Sequence, residues 1–213
     1  MATYNPSETQ YRELQYAFRR INKRLFKGAL PNCLLTLQRK PRTRGYMSPA
    51  KFESRKNSVT VLDEIAINPA EMPEMIDAAI LATLALNMCR VWQVHFGKPG
   101  RGRYINKELA DRMQVIGMIS SSTGKPGGKR TGQHTGGYVQ AGGPLDKLIK
   151  DILTTGWRFE FQDRQSAKRE KEDRKVHRHK YQCPNCELAA WARPLANLIC
   201  GDCALAMPAV GRV

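Results

Sequence analysis

Between residues 7 and 27, Tyr11, Leu14, Phe18, Ile21 and Leu25 recur at intervals of three and four, and Arg12, Arg19, Arg20, Lys23 and Arg24 fill the remaining face. That period gathers the apolar side chains into one stripe of a helix. Ser7 is a candidate N-cap, Gly28 ends the helix and Pro31 follows. Cys33 to Gln38 and Ser58 to Leu62 are short β-favouring runs flanking a basic, turn-rich stretch with Gly45, Pro49 and Asn57. They predict a small sheet, with Glu64 to Asn68 as a further strand. Met72 to Phe96 carries the strongest helical signal. Ile76, Ala79, Ile80, Leu84, Met88 and Val91 leave it apolar over most of its circumference, as expected of a buried central helix. Asn106 to Ile116 and Leu145 to Leu153 read as shorter helices. Ser120 to Gly143, rich in Gly, Ser, Thr and Lys, reads as a long loop. Residues 165–180 have almost no apolar side chains and read as a basic charged linker. The expected organisation is an α+β domain over 1–164, this linker, and a cysteine module over 181–213.

In that module Cys183-Pro-Asn-Cys186 and Cys200-Gly-Asp-Cys203 are separated by thirteen residues. Each pair turns two thiolates to one side, and two pairs supply the four sulfurs of a closed tetrahedral zinc site. Four thiolates leave no open coordination position. One structural Zn2+ is therefore expected, folding a ribbon too small to fold alone. A redox dithiol pair and an iron–sulfur centre are the alternatives. Trp191 and Arg193 lie between the two pairs, where each can contact a base or a phosphate. Trp191 is equally a candidate for the ribbon's small core. Cys33 and Cys89 lie in apolar surroundings and read as buried thiols.

Charge sharpens the picture. Lys and Arg number 35 against 19 Asp and Glu, a formal net charge of +16, and the isoelectric point is near 9.9. Such a surface attracts polyanions, nucleic acid above all. The positive charge is clustered: in Arg39-Lys40-Pro41-Arg42-Thr43-Arg44, in Lys125 to Arg130 and in Lys168 to Lys180. The candidate nucleic-acid contacts are Lys125, Lys129, Arg130, Lys168, Arg169, Arg174, Lys175 and Arg178, together with Trp191 and Arg193. The expected partner is DNA, single-stranded or bound without sequence preference, and with it DNA-bound proteins. No charged-then-apolar leader opens the sequence and no run of about 18 apolar residues occurs. With reduced cysteines, this points to a cytoplasmic location without a membrane: nucleoid-associated in a bacterium, or in the infected host cell for a phage protein.

Several local patterns occur together in one order. They are Leu25-Phe26-Lys27-Gly28-Ala29-Leu30-Pro31, Glu64-Ile65-Ala66-Ile67-Asn68-Pro69, Val91-Trp92-Gln93, Gly97-Lys98-Pro99-Gly100-Arg101, Asn106-Lys107-Glu108, Thr123 to Lys129, Thr131-Gly132-Gln133, and Lys180-Tyr181-Gln182-Cys183. In this order they resemble the SprT-like family of zinc metalloproteases, which includes the Spartan-type proteases of DNA–protein crosslinks. The resemblance covers most of the chain. It implies a metalloprotease-type domain, zincin-like helices with a small sheet, followed by a zinc ribbon. That family's chemistry rests on HExxH, two zinc-binding His one helical turn apart with a Glu general base between them, and on a third His that follows a Tyr. Here the HExxH positions read Leu86-Asn87-Met88-Cys89-Arg90, and the Tyr-His pair reads Tyr104-Ile105. Leu86 and Ile105 have no lone pair to donate, and Arg90 is a fixed cation. Asn87 cannot take a proton from water. The catalytic positions are thus degenerate, and no enzyme activity is expected. Leu86 and Ile105 would fill the space of the metal, and Arg90 would pair with Glu108 or Asp111.

The expected function is non-specific DNA binding by an inactive SprT-like protein that acts by binding or regulation. Two alternatives stand beside it. One is a protein-interaction module, a decoy or inhibitor such as a phage or mobile element carries, using the metal-free cleft. The other is a DNA-dependent metalloprotease with rerouted ligands such as Cys89 or His95.

Overall fold

Helix α1 spans Pro6–Leu25 and buries the expected stripe, Leu14, Ala17, Phe18 and Ile21. Its cap is Asn5, one residue before the helix, and not Ser7: the Asn5 side chain accepts from the Glu8 amide at 3.2 Å. Pro6 then falls in the first turn, where its missing N–H is not needed. Gly28 takes the left-handed φ of +75° that reverses the chain. Asn22 fixes the exit, bonding Leu30 through both its amide nitrogen and its carbonyl oxygen.

The computed structural model describes residues 4–56, 59–133, 136–164 and 178–210. Its first unit, Met1–Ala167, contains a three-stranded sheet in the order β1-β3-β2. β1 (Leu34–Leu37) runs parallel to β3 (Val61–Ile67), and β2 (Gly45–Glu53) runs antiparallel to it. The sequence reads β2 as a turn-rich stretch and divides β3 in two. The pairing explains both differences. β2 is an edge strand whose register shifts between Ser48 and Phe52, so Pro49 sits in a bulge, where a missing donor is tolerated. At Ala50 the backbone turns to φ +47°, and its amide donates to the Asp63 carboxylate at 2.8 Å.

The central helix α2 runs over Asp77–Phe96, not from Met72. Pro73 lies in a separate 3-10 segment, Pro69–Glu74, and Met75 and Ile76 are extended. α2 buries Ile80, Leu81, Leu84, Ala85, Met88, Cys89 and Val91 and packs against the sheet and α1. It also packs against α3 (Lys107–Val115) and α4 (Pro144–Thr154). Asn106 caps α3, accepting from the Leu109 amide at 3.0 Å. The expected long loop contains most of a hairpin, β4 (Met118–Ser121) against β5 (Gly136–Val139). Its glycines hide it from β propensity. At Gly137 a Cβ would fall 2.9 Å from both the Ile119 carbonyl and the Met113 side chain, so only glycine lets the strand approach.

Asn68 is 1% exposed and makes three bonds at once. Its oxygen caps the 3-10 segment at Ala70, and its amide nitrogen donates to the carbonyls of Lys40 (2.7 Å) and Thr43 (2.8 Å). Asn68→Ala leaves these groups unpaired. It is expected to cost about 2–3 kcal/mol in urea denaturation; a loss under about 0.5 kcal/mol would show the loop over residues 40–44 to be held by something else.

The second unit spans Lys168–Val213. β6 (His179–Gln182) pairs antiparallel with β7 (Ala189–Ala192). β6 thus begins within the residues that read as linker from sequence. Lys168, Arg169, Arg174 and Lys175 lie outside the described residues.

Candidate functional site

The two cysteine pairs fold alike. The Cys183 amide donates to Leu188 and the Glu187 amide back to Cys183. In the same offsets the Cys200 amide donates to Leu205 and the Ala204 amide to Cys200, all at 2.8–3.1 Å. Glu187 and Ala204, each just after its pair, take the same left-handed backbone at φ +60° and +54°. Two non-glycine residues accept that strain in matched positions, which turns each pair of sulfurs to one side. All four Sγ atoms lie within 4.8 Å of one another, with Cys186 and Cys200 at 3.5 Å. A tetrahedron of zinc–sulfur bonds has edges of about 3.8 Å, so the four fit one ion. The Asn185 amide donates to the Cys203 sulfur at 3.3 Å, support of the kind that orients a ligand. The backbone amide of Cys186 brings the Cys183 thiol down to about 7. The Leu188 amide favours the Cys186 thiolate, but the neighbouring thiols outweigh it and hold Cys186 up at about 12. Such a crowd of sulfurs loses all its protons only to a cation. Among the described residues this is the one group of three or more His, Cys, Asp or Glu side chains gathered at ligating distance.

Trp191 is not part of the small core. It is 56% exposed, while Tyr181, Cys183, Cys200 and Met207 are buried. Alternation along the strand gives the reason. Tyr181 faces inward, its hydroxyl donating to the Arg193 carbonyl and accepting from the Ala196 amide, both at 3.0 Å. Lys180 stands opposite Trp191 in the ladder, so the two share the outer face. Arg178 and Arg193 are exposed as well.

In the first unit Lys125 and Lys129 project from a loop that holds itself together. The Ser121 and Thr123 hydroxyls donate to the Lys125 carbonyl, and the Lys129 and Ser122 backbones are bonded to each other's residue. Arg130 is differently placed. Its guanidinium lies on α3, bonded to Asp111 (3.2 Å), Gln114 (2.8 Å) and the Ala110 carbonyl. Its charge is already answered, and it is a weaker phosphate contact than its neighbours.

Leu86, Asn87, Arg90 and Ile105, the positions singled out by the resemblance, lie on α2 and in the segment before α3. Leu86 packs against the core, and Ile105 is fully buried, its backbone paired in both directions with Gly132. Asn87 is 2% exposed and donates to the Thr83 carbonyl at 2.9 Å. Arg90 pairs with neither expected carboxylate. Glu108 is held by Gln93 and the Lys98 amide, both at 2.7 Å, and Asp111 by Lys107 and Arg130. Those contacts hold both carboxyls below their ordinary range, led by Gln93 for Glu108 and Lys107 for Asp111. Arg90 instead donates to the Arg103 carbonyl at 3.2 Å. His95 is bonded to Asp63 at 2.7 Å.

Cys89 is fully buried, whereas Cys33, which reads as buried from sequence, is only half-buried at the start of the sheet. Burial pushes both thiols up to about 12, with Asp63 adding to the effect at Cys33. Roughly one part in a hundred thousand of each is thiolate near neutral pH. Neither is expected to react with maleimide in the native protein at pH 7.5. Rapid native labelling of either, read by peptide mass spectrometry, would contradict its placement.

A Salmonella typhimurium protein described as "Uncharacterized protein in mucB 3'region" is 46% identical over 65 residues, covering 30% of this chain and 86% of that protein. No family model and no solved structure matches the chain.

Proposed function

We propose that this chain, which belongs to the family of the Salmonella typhimurium protein of the mucB 3' region, is a non-proteolytic SprT-like protein that binds DNA through basic loops and a zinc ribbon. The observation that carries the reading is Trp191, a largely exposed indole beside Lys180 on the outer face of the hairpin that leads into the four-cysteine cluster, in a chain of net charge +16. An exposed aromatic costs hydration unless something stacks on it, and a nucleobase with a phosphate beside it fits this pair. The ion is zinc, because four thiolates at tetrahedral spacing are the donor set of a closed structural zinc site. Lys125 and Lys129 provide a second phosphate-binding surface. Cleavage is not expected: Leu86 and Ile105 offer no metal donor, Arg90 repels a cation and Asn87 offers no base.

Fluorescence anisotropy with labelled single-stranded and duplex DNA tests this. Trp191→Ala is expected to weaken single-strand binding by 1–3 kcal/mol, about 5- to 150-fold, and duplex binding less. Casein and DNA-bound proteins should survive incubation intact. Absence of binding to any DNA at low salt would overturn the reading. So would cleavage abolished by a substitution in α2.

A further inference from the structure

The first unit holds a second cationic feature. Arg90 is half-buried on α2, and no carboxylate lies within ion-pair distance of it among the described residues. The residue it bonds is itself a cation. Arg103 offers its carbonyl to Arg90 at 3.2 Å, and its own guanidinium reaches the buried Thr43 hydroxyl at 3.4 Å. Burial, and then the charge of Arg103, lower the pKa of Arg90 below the ordinary arginine value. Thr43 belongs to the loop that Asn68 pins through the Lys40 and Thr43 carbonyls. That loop carries Arg42 and Arg44, both exposed, and Arg101 lies two residues before Arg103. Three segments distant in sequence thus bring arginines together. Four other guanidiniums are answered: Arg20 by Asp151, Arg39 by Asp163, Arg130 by Asp111, and Arg112 by the rings of Phe26 and Trp92.

An unpaired guanidinium out of full contact with water is costly and persists where an anion completes it. A guanidinium fork matches a tetrahedral oxyanion bidentately. The Thr43 hydroxyl gives its proton to the Gly45 carbonyl at 2.7 Å, so its part is to accept from Arg103 and hold that guanidinium. We infer that Arg90 and Arg103, the latter held by Thr43, form a binding site for a phosphate group, standing where the resemblance would place a protease's metal. The excess of arginines over acids favours a phosphate over a single carboxylate. The phosphate comes either from a small phosphorylated compound or from a nucleic-acid backbone, and only the second source depends on the DNA reading above.

The full-length, zinc-loaded protein is titrated with pyrophosphate by calorimetry and with a fluorescein-labelled oligothymidylate by anisotropy. Wild type is compared with Arg90→Gln, Arg90→Lys, Arg103→Gln and a Lys125→Ala/Lys129→Ala control. Pyrophosphate is expected to bind saturably at one site and to raise the melting temperature. Arg90→Gln and Arg103→Gln should each weaken it about tenfold or more, Arg90→Lys less, and the control not at all. Arg103 is exposed, so its variant separates the site from folding. Without ligand, Arg90→Gln should melt no lower than wild type, because it removes an unpaired charge.

Parallel loss of oligothymidylate binding in Arg90→Gln, with a salt slope shallower by about one, identifies the backbone as the source. Pyrophosphate loss with oligothymidylate binding unchanged identifies a free phosphate compound. If no DNA binds while the pyrophosphate pattern holds, the DNA reading fails and this site stands. Equal pyrophosphate affinity in wild type and Arg90→Gln would overturn the site even if DNA binds. A lower melting temperature for Arg90→Gln, with binding lost only in step with the folded fraction, would make Arg90 a strut for the Arg103 carbonyl and overturn it too.

Discussion

Removal of the metal is expected to unfold the C-terminal unit and to leave the first unit folded. Among the described residues the buried core of that unit is Tyr181, Cys183, Cys200 and Met207, and two of these four belong to the cysteine group gathered at ligating distance. Burying Tyr181 and Met207 contributes on the order of 1.5–3 kcal/mol each. That is too little to hold a unit of this size without a cross-link. Metal binding in small zinc domains supplies about 10–16 kcal/mol, so the fold of this unit is conditional on the ion. The first unit draws instead on a continuous core of Leu14, Ile21, Ile65, Leu81, Leu84, Met88, Leu109 and Ile149. Chelation, or Cys200→Ser, should collapse the amide dispersion of residues 179–210 in a heteronuclear spectrum and leave the first unit's signals in place. It should also expose the second unit to protease. A metal-free protein that keeps slow amide exchange at Tyr181 and Cys200 would show a ribbon stable without metal.

DNA affinity is expected to fall steeply with salt. Lys125, Lys129, Arg178, Lys180 and Arg193 are available for phosphates, whereas Arg130 is engaged on α3. Five such contacts release counterions with a log–log slope near −4, about 250-fold in affinity between 50 and 200 mM salt. Lys125→Ala/Lys129→Ala should make the slope shallower by about two, and Arg130→Ala should change it little. Sequence preference should be slight, because phosphate contacts carry no base information. A slope near zero would mean that the basic loops are solvated faces, and the interaction-module reading would replace DNA binding.

What the sequence shows of this protein follows how local each signal is. α1, α3 and α4 are legible because their apolar periods are complete within one element. The cysteine pairs are legible because two turns of fixed spacing make the site. β2 is not, since Gly45 and Pro49 read locally as turn residues and only the long-range partner β3 makes them a bulged edge. The β4–β5 hairpin hides for a related reason: Gly137 is demanded by Met113 and Ile119, which no window around it contains. The start of α2 is marked by Pro73, whose effect outweighs the apolar run around it. The partner of Arg90 is invisible because it is the backbone of Arg103, and Trp191 declares its face only once paired with Lys180.

The most direct test of the central claim is the zinc content of the full-length protein, measured by elemental analysis after brief rinsing with EDTA. One zinc per chain is expected, held by Cys183, Cys186, Cys200 and Cys203. No zinc would contradict the ribbon, and two tightly held zincs would place a metal at the site of Leu86, Arg90 and Ile105 and contradict a non-proteolytic scaffold.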